Sequence, residues 1–125
     1  MSLLGRLFGG LGATRWRWSP AVSVLVEQAL SRHPSATANT YVCHPWCGWG
    51  RFSVDFWGPE GRGDPIDPET AVSIREFLLT RTGPPFIRHW IYQHTLWTSF
   101  GGFSVWSAND HSGRLQHLHV TYWRP

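Results

Sequence analysis

The chain has 125 residues, of which 9 are Trp and 7 are His, while charged residues make up only 15%. This length suits one domain with a modest core and leaves no room for a second. The net charge of +3, carried on scattered arginines, gives no support for nucleic-acid binding. No stretch approaches the roughly 18 uninterrupted apolar residues of a transmembrane helix.

Residues 1–19 are expected to form an N-terminal leader or arm ahead of a single domain, 20–125. The leader is apolar and rich in glycine, but it lacks the unbroken apolar run and the small-residue cleavage site of a signal peptide. The sequence of this segment therefore indicates no export signal and does not predict a localisation. A weak interfacial helix through residues 3–11 is the alternative interpretation.

Two amphipathic helices are predicted. One follows Ser19 and ends at about His33, and the other follows Asp67 and ends at Gly83. Their apolar residues recur at helical spacing: Val22, Leu25, Val26, Ala29 and Leu30 in the first, and Ala71, Ile74, Phe77 and Leu78 in the second.

β-branched and aromatic runs predict strands at residues 39–42, 52–57, 86–92, 95–98 and 115–123. Residues 45–51 and 58–68 are glycine-rich loops, and Gly101-Gly102 is a turn or bulge. The expected fold class is α+β, a small antiparallel sheet with two main helices packed on it and a metal site at the sheet.

The segment from His117 to Val120 is the clearest chemical signature. Alternate residues of a strand share a face, so His117 and His119 point the same way. By itself such a pair fits a solvent-facing strand equally well. His44 and Asp55 add partners near the ends of two other predicted strands, and a set of histidines with a carboxylate suits zinc with one open position.

These residues carry a family resemblance. His44, then Ser53-Val54-Asp55, then a late His-Leu-His-Val strand resembles the zinc-dependent D-alanyl-D-alanine carboxypeptidases and L-alanyl-D-glutamate endopeptidases, which cut the peptide stems of bacterial peptidoglycan. The resemblance covers residues 39–123 and implies a metallopeptidase-like domain at 20–125. It implies that His44, Asp55 and His119 bind Zn²⁺ and that the protein acts at the cell wall on a peptidoglycan peptide.

The chain departs from that family at two places. His44 and Asp55 are 11 positions apart, which is more than is usual there and implies an expanded loop. The family's acidic general base corresponds to Gln116, which takes no proton at neutral pH. We predict His117 as the substitute base, with Asp110 or His111 as alternatives.

Other residues are candidates for substrate contact. Arg62 in the second loop could clamp a carboxylate, although a solvated loop arginine fits equally well. Trp49 and Trp57 could line a cleft for a glycan-peptide. An oxyanion donor could come from Arg51, Arg62 or His94.

Three alternatives stay open. Cys43 and Cys47 could join His44 in a structural zinc site, which would leave no open position for water. The Gln at position 116 favours a non-catalytic metal-containing module that binds cell-wall or glycan-peptide fragments. The Trp-rich composition also fits a structural or interaction protein. His89 is expected to be a structural histidine.

Overall fold

The computed structural model describes residues 18–40 and 50–125. The segment 41–49, which holds His44 and Trp49, lies outside the described residues. The predicted leader does too, except for its last two positions, 18 and 19. In the described part no helix is long and apolar enough to cross a membrane.

Both predicted helices are present. Helix α1 spans Pro20–Arg32, and the Ser19 hydroxyl accepts a hydrogen bond from the Val22 amide at 3.4 Å. Helix α2 spans Pro68–Leu79, and the Asp67 carboxylate accepts from the Thr70 amide at 3.2 Å. These side chains cap amide groups that the first turn of a helix leaves unpaired. The buried residues of α1 are the five that the sequence periodicity predicts.

Among the described residues, six antiparallel strands form one sheet in the order β1-β2-β6-β3-β4-β5. Their bounds are Thr37–Thr40 for β1, Ser53–Trp57 for β2, Ile87–Tyr92 for β3, Thr95–Thr98 for β4, Gly102–Val105 for β5 and Leu118–Tyr122 for β6. The α+β class with an antiparallel sheet is therefore confirmed.

Several element bounds differ from the predictions. Strand β5 was not predicted, because Gly101 and Gly102 indicated only a turn or bulge. Strand β1 begins at Thr37, two residues before the predicted start. Helix α2 ends at Leu79 rather than at Gly83, and Thr80 closes it through its hydroxyl, which donates to the Phe77 carbonyl at 2.7 Å.

The two faces of the sheet differ in chemistry. Side chains on one face pack with both helices in the hydrophobic core, among them Val54 and Phe56 of β2 and Leu118 and Val120 of β6. Their neighbours along each strand point to the other face. That second face is also buried, but it carries polar groups: Asn39, Ser53, Asp55, His117, His119 and Thr121.

Candidate functional site

Asp55 and His119 meet at the centre of the polar face. They are direct partners across β2 and β6, so their side chains leave the sheet side by side. The His119 Nδ1 lies 2.7 Å from the Asp55 Oδ1, and both side chains are buried. Because a carboxylate only accepts, the imidazole Nδ1–H donates this hydrogen bond.

Two hydroxyl groups extend this pair along the sheet. The His119 Nε2 lies 2.8 Å from the Thr121 Oγ1, which lies 2.8 Å from the Ser53 Oγ. With the Nδ1–H given to Asp55, we assign the Thr121 hydroxyl as the donor to the His119 Nε2. The Ser53 hydroxyl then donates to Thr121. This chain fixes the orientation of the His119 ring.

His117 is held between two aromatic rings. Trp57 stacks on it with a centroid separation of 4.2 Å, and His111 stacks on it at 4.1 Å. Two rings at these distances cannot share one face, so they cover opposite faces of the imidazole. The His117 Nδ1 donates to the Leu115 carbonyl at 2.6 Å, and the Nε2 lies 3.6 Å from the Asp55 Oδ1.

His111 is bound in the same way as His117. Its Nδ1 donates to the backbone carbonyl of His117 at 3.2 Å, and its Nε2 lies 3.7 Å from the Asp110 carboxylate. In a neutral imidazole the nitrogen opposite the donor carries the lone pair. Backbone carbonyls therefore select one tautomer for both rings and leave their Nε2 atoms as acceptors.

His89 of β3 completes the group that we call the His/Asp cluster: Asp55, His89, His111, His117 and His119. The ring of His89 stacks on His119 at a centroid separation of 5.4 Å. The sequence predicts a structural role for His89 and carries no sign of this contact. The contact follows from strand register, which aligns His89 with Thr121, two residues from His119.

Burial controls the charges in the cluster. It is the largest cause that lowers the pKa of His89 and of His111 to about 4. Burial also lowers the pKa of His117, and the nearby Asp55 recovers only part of the shift. Burial alone would raise the pKa of Asp55, but the His119 hydrogen bond and the surrounding imidazoles outweigh it, so the pKa lies below its usual value. At neutral pH the Asp55 carboxylate therefore lies among the neutral imidazoles of His89, His111 and His117.

Gln116 lies outside the cluster and joins two loops. Its Nε2 donates to the Ile66 carbonyl at 2.6 Å, and its Oε1 accepts from the Gln93 Nε2 at 3.2 Å. The backbone reinforces the link, since the Ile66 amide donates to the Gln116 carbonyl at 3.0 Å. Gln116, which the sequence resemblance aligns with a general base, is thus a structural amide in this chain.

The other predicted site residues are distributed more widely. Trp57 is 4% exposed and supports His117, so contact with a substrate stays a prediction. Arg62 is exposed in the turn after β2. His94 lies in the turn between β3 and β4, and its Nδ1 is 3.3 Å from the carbonyl of Trp106, which follows β5. Arg51 is exposed in the short 3-10 helix Gly50–Phe52.

The described residues hold no group of three or more His, Cys, Asp or Glu side chains arranged to bind a metal ion. The metal site predicted at the sheet is therefore not supported by the described residues. Two of its three predicted ligands, Asp55 and His119, lie side by side, and His44 lies outside the described residues. The Cys43 and Cys47 alternative lies there too. Of the predicted metal ligands and the predicted base that lie within 18–40 and 50–125, the structure brings together Asp55, His117 and His119.

The fold and the site define an α+β protein with a buried His/Asp cluster on the polar face of its sheet. Comparison of the chain with protein-family models, with curated proteins and with solved structures finds no match.

Proposed function

We propose that the protein is a metal-dependent hydrolase, a zinc peptidase that cleaves peptide bonds in peptidoglycan stem peptides. The observation that carries the proposal is the state of His117. A neutral imidazole presents its Nε2 lone pair 3.6 Å from the carboxylate that the family resemblance assigns to the metal. The substrate class comes from the resemblance, and the geometry supports the chemistry.

The two described donors, Asp55 and His119, could both reach a zinc ion after a small adjustment. Two atoms that each lie ~2.0 to 2.2 Å from one tetrahedral zinc are about 3.3 Å apart. The Asp55 Oδ1 and the His119 Nδ1 are 2.7 Å apart, at hydrogen-bond distance. Replacing the shared proton by a metal ion would thus require a ring shift of about 0.6 Å, and the imidazole would then carry its proton on Nε2 and donate it to the Thr121 hydroxyl. Asp55 and His119 would hold the ion, with His44 as the third ligand.

When bound, such an ion polarises the scissile carbonyl and makes water acidic enough for a weak base to deprotonate. His117 Nε2 then accepts the proton of the attacking water and returns it to the leaving amine. The Leu115 carbonyl holds the imidazole in the required tautomer, and Asp55 stabilises the imidazolium. The rings of Trp57 and His111 prevent rotation of the base.

Three variants test this assignment. The purified protein is loaded with Zn²⁺, its metal content is measured by mass spectrometry, and peptide release from purified peptidoglycan is followed by chromatography. His119→Ala should lose metal and activity, whereas His117→Gln should keep the metal and lose peptide release. His33→Gln is the matched control, because His33 lies at the end of α1, on the helix side of the sheet. A wild-type protein that binds no zinc, or His117→Gln with full activity, contradicts the proposal.

A second candidate function is a metal-containing module that binds cell-wall peptides without cleaving them. One observation favours it: both ends of the Gln116 amide are engaged by Ile66 and Gln93, so no base occupies the usual position. Saturable binding of peptidoglycan fragments by a zinc-loaded protein that releases no peptide would support this function over the peptidase.

A further inference from the structure

Asn39 is a buried polar residue without a recognised role. It is 5% exposed, and its Oδ1 finds no hydrogen-bond donor among the described residues. Buried amide oxygens are nearly always paired, so an unpaired one calls for an explanation such as a functional contact or an ion. Its oxygen is almost wholly enclosed, which restricts any occupant to a small one.

The register of the sheet places Asn39 beside the proposed metal ligands. Asn39 on β1 lies directly opposite Asp55 on β2, and Asp55 lies opposite His119 on β6. Direct partners have Cβ atoms about 4.5 to 5.5 Å apart and project from the same face. Three adjacent strands therefore each contribute one candidate donor atom to one row, an amide oxygen, a carboxylate and an imidazole.

Among the described residues, no side chain donates a hydrogen bond to the Asn39 Oδ1. Asp55 only accepts hydrogen bonds at neutral pH. The Thr37 hydroxyl, on the same face of β1, donates to the Gly58 carbonyl at 2.7 Å. An unpaired acceptor oxygen directly across from a carboxylate, which itself lies 3.6 Å from the His117 Nε2, is a suitable place for a cation.

We propose that Asn39 is an additional oxygen ligand of the metal ion held by Asp55 and His119. This inference rests on the proposed function, because it requires a metal at that site. Amide oxygens are ordinary ligands of hard divalent cations and less usual ligands of zinc. The additional oxygen raises the coordination number above that supplied by Asp55 and His119 and makes the shell more tolerant of ions that prefer oxygen, such as Mn²⁺.

The test compares Asn39→Ala and Asn39→Asp with the wild-type chain. Affinities for Zn²⁺ and Mn²⁺ are measured by competition with a chelating dye, and the thermal midpoint is measured with and without metal. Asn39→Ala should weaken metal affinity about tenfold or more. Its metal-free thermal midpoint should stay the same or rise, since the variant removes an unpaired acceptor. Asn39→Asp should retain or increase affinity, because it keeps the oxygen and adds charge.

The absorption of the Co²⁺-loaded protein gives a second readout. Removing one ligand lowers the coordination number, and cobalt absorbs more strongly at lower coordination numbers, so Asn39→Ala should give the more intense spectrum. Unchanged metal affinity together with a less stable metal-free Asn39→Ala protein overturns the proposal and makes Asn39 structural. The proposed function would still hold in that case, provided that the wild type binds zinc and His119→Ala does not. A wild type that binds none of the three metals overturns both.

Discussion

Gln116→Glu restores the acidic residue that the family resemblance expects, yet we predict that it lowers stability and adds no activity. The Gln116 Nε2 donates to the Ile66 carbonyl at 2.6 Å, so a carboxylate there would place two acceptors in contact. The lost hydrogen bond contributes about 0.5 to 1.5 kcal/mol, and an unpaired buried acceptor costs about 1 to 3 kcal/mol. Because Gln116 is only half-buried, we expect a loss of about 1 to 3 kcal/mol at pH 7.

The pH dependence of this loss identifies its cause. The introduced carboxyl can donate to the Ile66 carbonyl once it is protonated, so folding raises its pKa above the ordinary glutamate value of about 4.3. The penalty is therefore present above the folded-state pKa and disappears as the pH falls through it. Urea denaturation at pH 7 and pH 4.5, each compared with the wild type at the same pH, measures the difference, and Gln116→Ala shows the cost of the lost bond alone. Equal stability at pH 7, or faster peptide release, would refute the reasoning.

Two further predictions concern the His/Asp cluster. His89 has a pKa of about 4 in the folded protein against 6.5 ordinarily, so the unfolded chain binds more protons between these values. The free energy of unfolding of the metal-free protein should therefore fall as the pH drops from 6.5 to 4. Urea titrations across this range should show a weaker pH dependence for His89→Gln. The same pH dependence in the variant and the wild type would contradict this prediction. Trp57→Leu should destabilise the fold by about 2 to 4 kcal/mol through the lost stack on His117. Trp57→Phe should cost less than about 1.5 kcal/mol, because the indole N–H has no partner among the described residues. Thermal melts of both variants check this order.

Helix α1 shows how much of the fold the sequence specifies. Its five buried residues, its start after Ser19 and its end near His33 all follow from apolar spacing and capping residues. Strand β5 shows the limit. Its residues Phe103 and Val105 are exposed at the sheet edge, so burial imposes no alternation there that a pattern could reveal. Only pairing with β4 makes this segment a strand.

The candidate site could be predicted where its residues share one strand. The spacing of His117 and His119 requires only local geometry, and both lie beside Asp55. His89 and Asn39 enter through the pairing of β3 with β6 and of β1 with β2, which depends on strand order and register across the whole sheet. A single sequence carries no signal for that long-range alignment.

The contrast between the two faces of β2 bears on why the polar cluster exists. Val54 and Phe56 join the hydrophobic core, whereas Ser53 and Asp55, equally buried, face the imidazoles. Taking a carboxylate out of water costs several kcal/mol, and replacing a buried ion pair by apolar side chains is often neutral or stabilising. A chain selected for stability alone would therefore place apolar residues on this face as well. The imidazoles around Asp55 lower its pKa and so favour the carboxylate in the folded protein, and the metal ion that we propose between Asp55 and His119 would stabilise it further.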